Sequence, residues 1–255
     1  MANIVACYKW VIDEADIKVN SDLSVNLHHG KGKISDYDKN AIEAAVNAAA
    51  ALEGKAVGLT FGNSGAKPSL KDALSRGLEE GYFVNSEKSA SADGRMTAMA
   101  LAAAIKKIED VALVICAEGA SDTYARQTAP RLGALLDFPV ITSVNSIEIK
   151  GNTLIAVRKL DDCMETVKAE LPAVVAVLPE INHPPIPGLK AVMNAGKKKV
   201  TELSDADLGV ELSSRNQVLD VKAYVMNRKN IIFNDGDVGE QVKSLVTALK
   251  KEGVI

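Results

Sequence analysis

From Asn3 to Leu136 the chain alternates short apolar runs with stretches of helical spacing, and this alternation constrains the fold more than any other feature. Asn3 to Cys7, Ala56 to Phe61, Gly81 to Val84 and Val111 to Cys116 read as strands. Asn40 to Leu52 carries apolar residues at Ile42, Ala45, Val46 and Ala49, the spacing of one helical face. Pro68 to Arg76 and Met96 to Ile108 read as two further helices, and a fourth is expected from near Tyr124 to Leu136. Strands alternating with helices of this length imply βαβ units and a parallel sheet covered by helices on both faces. After Pro139 the pattern changes. Ser143 to Ile149 and Thr153 to Arg158 flank a turn signal at Lys150, Gly151 and Asn152, and Met164 to Glu170 alternates, so a small antiparallel extension is expected. Ala173 to Val177 is apolar throughout and should return to the main sheet.

The C-terminal part is different again. Four prolines between Pro179 and Pro187 predict a stiff exposed loop. From Thr201 to about Asn234 the periodicity is poor and the polarity high. A helix is expected from Asp237 to Lys251, with Val238, Val242, Leu245, Val246 and Leu249 on one stripe. The expected organisation is an α/β nucleotide-binding domain over 1–200, including a loop at 182–199, and an extended C-terminal arm over 201–255 suited to a partner subunit.

Composition excludes several classes. A net charge of −3 and 4% aromatic residues give neither a positive field nor stacking platforms for nucleic acid. Cys7, Cys116 and Cys163 show no metal or disulfide spacing, and His28, His29 and His183 are too scattered for a metal cluster. No run reaches the roughly 18 apolar residues of a membrane span, and the N-terminus lacks a signal-peptide pattern, so a cytoplasmic protein without membrane insertion is expected. The usual phosphate-loop, dinucleotide-binding, nucleophile-elbow and zinc-protease motifs are missing. The acidic pairs Asp161–Asp162 and Glu79–Glu80 read as solvated turns, and no catalytic residue is assigned.

The polar segment Glu118 to Thr128 follows a strand and precedes a helix, the place where open parallel sheets bind ligands. A helix N-terminus there favours an anion such as phosphate. Ser121, Thr123, Gln127 and Thr128 offer donors, and Asp122 suits either a sugar hydroxyl or a helix cap. The loop Ser86 to Ala98 repeats the arrangement, with Asp93 open to the same two readings.

Several segments in order resemble the β (small) subunit of the electron transfer flavoproteins. ACYKWVIDEADIKVN is similar to the family's first strand and the loop that follows it. KISDYDKNAIEAAV resembles its N-P-Y-D-x-x-A helix entry, and DALSRGLEEGYFV a later helix and strand. The longest match is LPAVVAVLPEINHPPIPGLKAVMNAGKKKV. The resemblance runs from residue 2 to about residue 210. It implies a Rossmann-like core, of the adenine nucleotide alpha hydrolase-like kind, in a heterodimer whose larger α subunit holds most of the FAD site. It further implies an adenine nucleotide in this chain, either AMP or a second FAD, touching Cys7, Leu59, Phe61, Ala120, Ser121, Asp122, Gln127 and Thr128. Asp93 and Thr97 match a motif of the electron-bifurcating branch, although Gly94 and Met96 depart from it. EGASDTYARQ, together with S-D-Y-D in place of N-P-Y-D, looks closest to the Fix-type branch and tilts the expectation toward FAD.

By the same resemblance, Ile186, Leu189 and Met193 form a loop that docks an acyl-CoA-type or other flavin dehydrogenase, the alternative for Leu189 being to pack its helix onto the core. Lys197 to Lys199 are suited either to steering an acidic partner or to solvation. Tyr37 would approach the α-subunit flavin or pack at the interface. Electrons would pass to a quinone oxidoreductase or a ferredoxin-linked partner. A rival expectation is a free-standing adenine-nucleotide regulator resembling the universal stress proteins, which are shorter and carry a glycine-rich phosphate loop missing here.

Overall fold

A computed structural model describes residues 1–27, 30–225 and 228–255. His28 and His29, counted in the histidine inventory above, lie outside the described residues. The chain opens with β1 (Asn3–Cys7). An excursion of short strands follows: β2 (Trp10–Ile12), β3 (Lys18–Val19), β4 (Val25–Asn26) and β5 (Gly32–Ile34). β2 pairs with β5 and β3 with β4, both antiparallel. The winding then proceeds through α1 (Asp36–Ala51), β6 (Lys55–Gly62), α2 (Pro68–Ser75) and β7 (Glu80–Asn85). It continues with α3 (Gly94–Ile105), β8 (Val111–Ala117) and α4 (Thr128–Leu136). β9 (Val140–Lys150), β10 (Thr153–Lys159), β11 (Met164–Glu170) and β12 (Ala173–Val177) follow. Last come α5 (Leu189–Ala195), β13 (Val200–Leu203), α6 (Asp205–Leu208) and α7 (Val238–Lys251).

One nine-stranded sheet runs in the order β11-β10-β9-β12-β8-β1-β6-β7-β13. Every pairing from β9 to β13 is parallel, and β10 and β11 add the expected antiparallel edge. Alternation along β1 shows how the layers form. Ile4 and Ala6 face the cluster built on Ala41, Ala45 and Ala48 of α1, whereas Val5 and Cys7 face Ala100 and Ala104 of α3 and Leu132 of α4. Side chains on adjacent strand positions point to opposite faces, so a strand covered on both sides must be apolar at every position. β12 meets that demand with five buried residues. The alanines of α1 and α3 let both helices lie close on the sheet. The result is the Rossmann-like α/β fold that the alternating pattern predicts.

The structure departs from the sequence reading in several places. Glu80, read with Glu79 as a solvated turn, opens β7 and pairs with Lys55 and Lys199, each at 3.3 Å, because the strand begins one residue earlier than its apolar run. α1 starts at Asp36, not Asn40, with Ser35 at its N-cap position. α4 starts at Thr128, not near Tyr124, because Tyr124 and Arg126 adopt φ of 46° and 56°, which no right-handed helix accommodates. The poorly periodic stretch after Thr201 still contains ordered structure. β13 extends the sheet beside β7, and Leu203, Leu208 and Leu212 are buried against the α3 side of the core. A four-residue edge strand is too short to show a period.

Candidate functional site

The winding runs from β1 outward through β6 and β7, then crosses back so that β8 lies on the other side of β1. Strand order reverses between β1 and β8, and the crevice at their carboxyl ends is where folds of this kind bind ligands. A cleft of about 300 Å³ opens there, with Cys7, Phe61, Gly94, Gly119, Arg126 and Thr128 among its walls. The Cys116 thiol is also in the wall. Its hydrogen bond with Cys7 and its burial both push it well up, so it is held protonated and is no nucleophile.

Of the residues singled out in the sequence, Cys7, Phe61, Thr97, Ala120, Thr123, Gln127 and Thr128 come together around the cleft, whereas Ser121 and Asp122 are not among its lining residues. Leu59 does not line it; its side chain is fully buried between sheet and helices, and its carbonyl accepts from the Tyr8 amide at 3.0 Å. Asp93 turns to the helix, where it accepts from the Met96 amide at 2.8 Å and also from the Arg215 amide at 2.8 Å. These two donors hold its carboxyl down to about 2. Asp93 thus caps α3. The Ser121 amide donates to Ser35 Oγ at 3.1 Å, and Asp122 pairs with Lys9 Nζ at 2.5 Å. Asp122 does not cap α4, which begins further on and has no side-chain cap at all. The Tyr37 ring lies 5.4 Å from the Tyr124 ring. Ile186, Leu189 and Met193 are exposed by 93%, 78% and 67%, so the Leu189 side chain does not pack its helix onto the core.

Two groups in the cleft were not singled out from the sequence. Asp38, in the first turn of α1, is buried and accepts from the Lys9 amide at 2.8 Å. Burial pushes its carboxyl up to about 7, against the pull of that amide and the Lys9 charge, with Asp122 adding a further push. A carboxyl raised by burial in a ligand cleft is a recurring mark of functional sites. The S-D-Y-D segment carried the signal, but the residue that meets Asp38 is distant in sequence: Lys9, which leads into the strap of β2 and β5 and whose carbonyl also accepts from the Ser35 amide at 3.0 Å.

The second group is a clasp inside the Glu118 to Gln127 loop. Glu118 accepts from the Tyr124 hydroxyl and, at 3.0 Å, from Arg126 Nη2. The Arg126 guanidinium also stands 5.8 Å from the centre of the Tyr124 ring, within cation–π range. Desolvation, and then the Glu118 carboxylate, push the Tyr124 hydroxyl up to about 12. Glycines permit the closure. A Cβ on Gly119 would stand 2.8 Å from the Tyr124 ring, and one on Gly94 would stand 2.5 Å from Gln127 Oε1.

The model of the electron transfer flavoprotein domain family matches residues 22–208. That span runs from the strap through α6 and contains the loops from α1, α3 and α4 that wall the cleft. It ends where the C-terminal arm departs from the sheet. The chain belongs to the electron transfer flavoprotein domain family.

Proposed function

We propose that this chain is the β subunit of a heterodimeric electron transfer flavoprotein of the Fix type, and that its cleft seats an adenine nucleotide by the AMP half. The nucleotide is AMP itself or the adenosine end of a second FAD. The observation that carries the reading is the cleft at the β1–β8 reversal, facing a helix whose N-terminus has no side-chain cap. The residues fit such a ligand. The volume falls at the lower end of small-molecule sites, which is the scale of a mononucleotide. Amides at the start of α4 and the cations of Lys9 and Arg126 suit a phosphate, and glycines let backbone approach it.

Within this reading the chain binds and shields, and no residue of it is catalytic. The flavin, held chiefly by the α subunit, stores and passes electrons. Asp38 and the neighbouring backbone orient the sugar and base, and the Tyr124–Arg126 loop excludes water. Members of this family are electron carriers, so the exposed apolar residues need partners. The arm and α7 contact the α subunit. Ile186, Leu189 and Met193 dock a flavin dehydrogenase of the acyl-CoA type or a relative, because an apolar side chain on a stiff loop loses little entropy on docking. Electrons leave to a quinone oxidoreductase or a ferredoxin-linked acceptor.

The test is the nucleotide content of the complex. The chain is co-expressed with its α partner, ligands are released by heat, and FAD and AMP are quantified per heterodimer. One FAD and one AMP, or two FAD, supports the reading and names the occupant. An intact α-subunit flavin without a second adenine nucleotide removes it. A chain that purifies alone with bound nucleotide and never associates with an α partner is instead a free-standing regulator.

A further inference from the structure

Behind the clasp lies a second cavity of about 230 Å³, walled by Ala129, Pro130, Thr142, Ser143 and Ala176. It shares two residues with the nucleotide cleft, Glu118 and Arg126. These are the two ends of the ion pair that closes the loop. The ion pair therefore contributes to the partition between the two spaces. Its Glu118 half is nearly buried, while the Arg126 half is about half exposed. The first turn of α4 stands at the same boundary, with Thr128 facing the cleft and Ala129 and Pro130 facing the second cavity. A phosphate drawn to that helix end would sit beside the partition, so any extension of the ligand past its first phosphate leads into the second cavity.

We propose that the Glu118–Arg126 pair, latched by the Tyr124 hydroxyl, is a gate that sets how long a nucleotide the site accepts. Latched, the site ends at the first phosphate and selects a nucleoside monophosphate. Unlatched, the two spaces join into one of dinucleotide size, and Arg126 turns from Glu118 to the second phosphate, exchanging one anionic partner for another. Glu118, Tyr124 and Arg126 are thus specificity-determining residues for ligand length. The inference rests on the reading of the cleft as an adenine-nucleotide site.

The test compares AMP with ADP-ribose, which adds a second phosphate and a ribose without a flavin. Both are titrated calorimetrically into the full-length chain after removal of bound nucleotide. Glu118→Gln weakens the latch to Arg126, and Tyr124→Phe removes only the hydroxyl. The native chain should prefer AMP. The ratio of the ADP-ribose dissociation constant to that of AMP should fall about tenfold in Glu118→Gln, the equivalent of one charge-assisted hydrogen bond. It should fall by less, in the same direction, in Tyr124→Phe, a change too small to unfold the chain. A ratio that stays the same or rises in both variants overturns the gate and leaves the cleft reading standing. Failure of the native chain to bind either ligand overturns the cleft reading, and the gate with it.

Discussion

The sheet domain and the C-terminal arm use the same kinds of residue to opposite ends. In β12, Val174 and Val175 are buried from solvent completely. In the arm, Val218, Leu219, Tyr224 and Ile232 are no less apolar, yet each is exposed by at least three quarters. α7 has no buried residue, although Val238, Val242, Leu245 and Val246 form an apolar stripe. Past Leu212, the last of its side chains buried in the core, the arm is tied to the domain by polar bonds. Arg215 N donates to Asp93, Arg95 Nη1 to the Ser213 carbonyl at 3.3 Å, and Ala223 N to the Leu23 carbonyl at 2.8 Å. Apolar composition alone therefore does not distinguish core from docking surface. The distinction lies in whether strand pairing and helix packing give those side chains somewhere to go.

The packed half can be broken most strongly at Asp38, whose carboxyl is buried. The Asp38 carboxyl stands at about 7 in the folded chain and near the ordinary carboxylate value when unfolded. Between those values the folded state holds the extra proton, so stability should fall as pH rises from about 4 to 7, by on the order of a few kcal/mol. Lys9 and Asp122 face the group from the strap and the loop, and Cys116 from β8. Asp38→Asn cannot ionise and keeps an oxygen for the Lys9 amide. Urea unfolding at pH 5 and pH 8 should show the slope in the native chain and its loss in the variant, which is the more stable of the two at pH 8. An equal slope in both would place the proton elsewhere.

Asp93 sharpens the comparison, because it belongs to both halves. It caps α3 and anchors the arm at Arg215. Asp93→Ala should cost about 1 kcal/mol of domain stability, the usual worth of an N-cap. Its folded carboxyl is depressed, so the contribution is present above the ordinary carboxylate value and is lost as pH falls toward about 2. Limited proteolysis should also cut the variant faster around Arg215. Faster cutting without loss of stability would mean that the arm, not the helix, is what Asp93 holds.

How much of this could be read beforehand follows from the same contrast. The central strands were legible because burial on both faces forces continuous apolar runs, and the antiparallel edge because Gly151 carries the positive φ of its turn. α7 was legible to within a residue, since Asp237 caps it through the Glu240 amide at 2.9 Å and its stripe needs no neighbour to define it. The clasp was not. Tyr124 and Arg126 take left-handed backbone at a cost of roughly 1 kcal/mol each, with no glycine or asparagine to announce it. Their bonds to Glu118, the Tyr124 amide's bond to the Ala120 carbonyl at 2.9 Å and the ring contact with Tyr37 hold them there. Asp38 was hidden for another reason. The residue that meets it, Lys9, is distant in sequence, and no local pattern reports that.

The smallest expected effect concerns α7. Its stripe touches no core, so Leu245→Ser should change the stability of the isolated chain by less than about 0.5 kcal/mol, as for surface substitutions generally. Its amides should exchange with solvent much faster than those of α1, because a helix of this length without tertiary packing is marginal in water. Hydrogen exchange on the chain alone, and again on the complex with an α subunit, separates the two roles such a stripe can have. Protection that appears only in the complex, and that Leu245→Ser reduces, makes α7 part of the partner interface. Equal and strong protection in the isolated chain would mean that α7 is already packed, and the contrast between the two halves of the molecule would then fail.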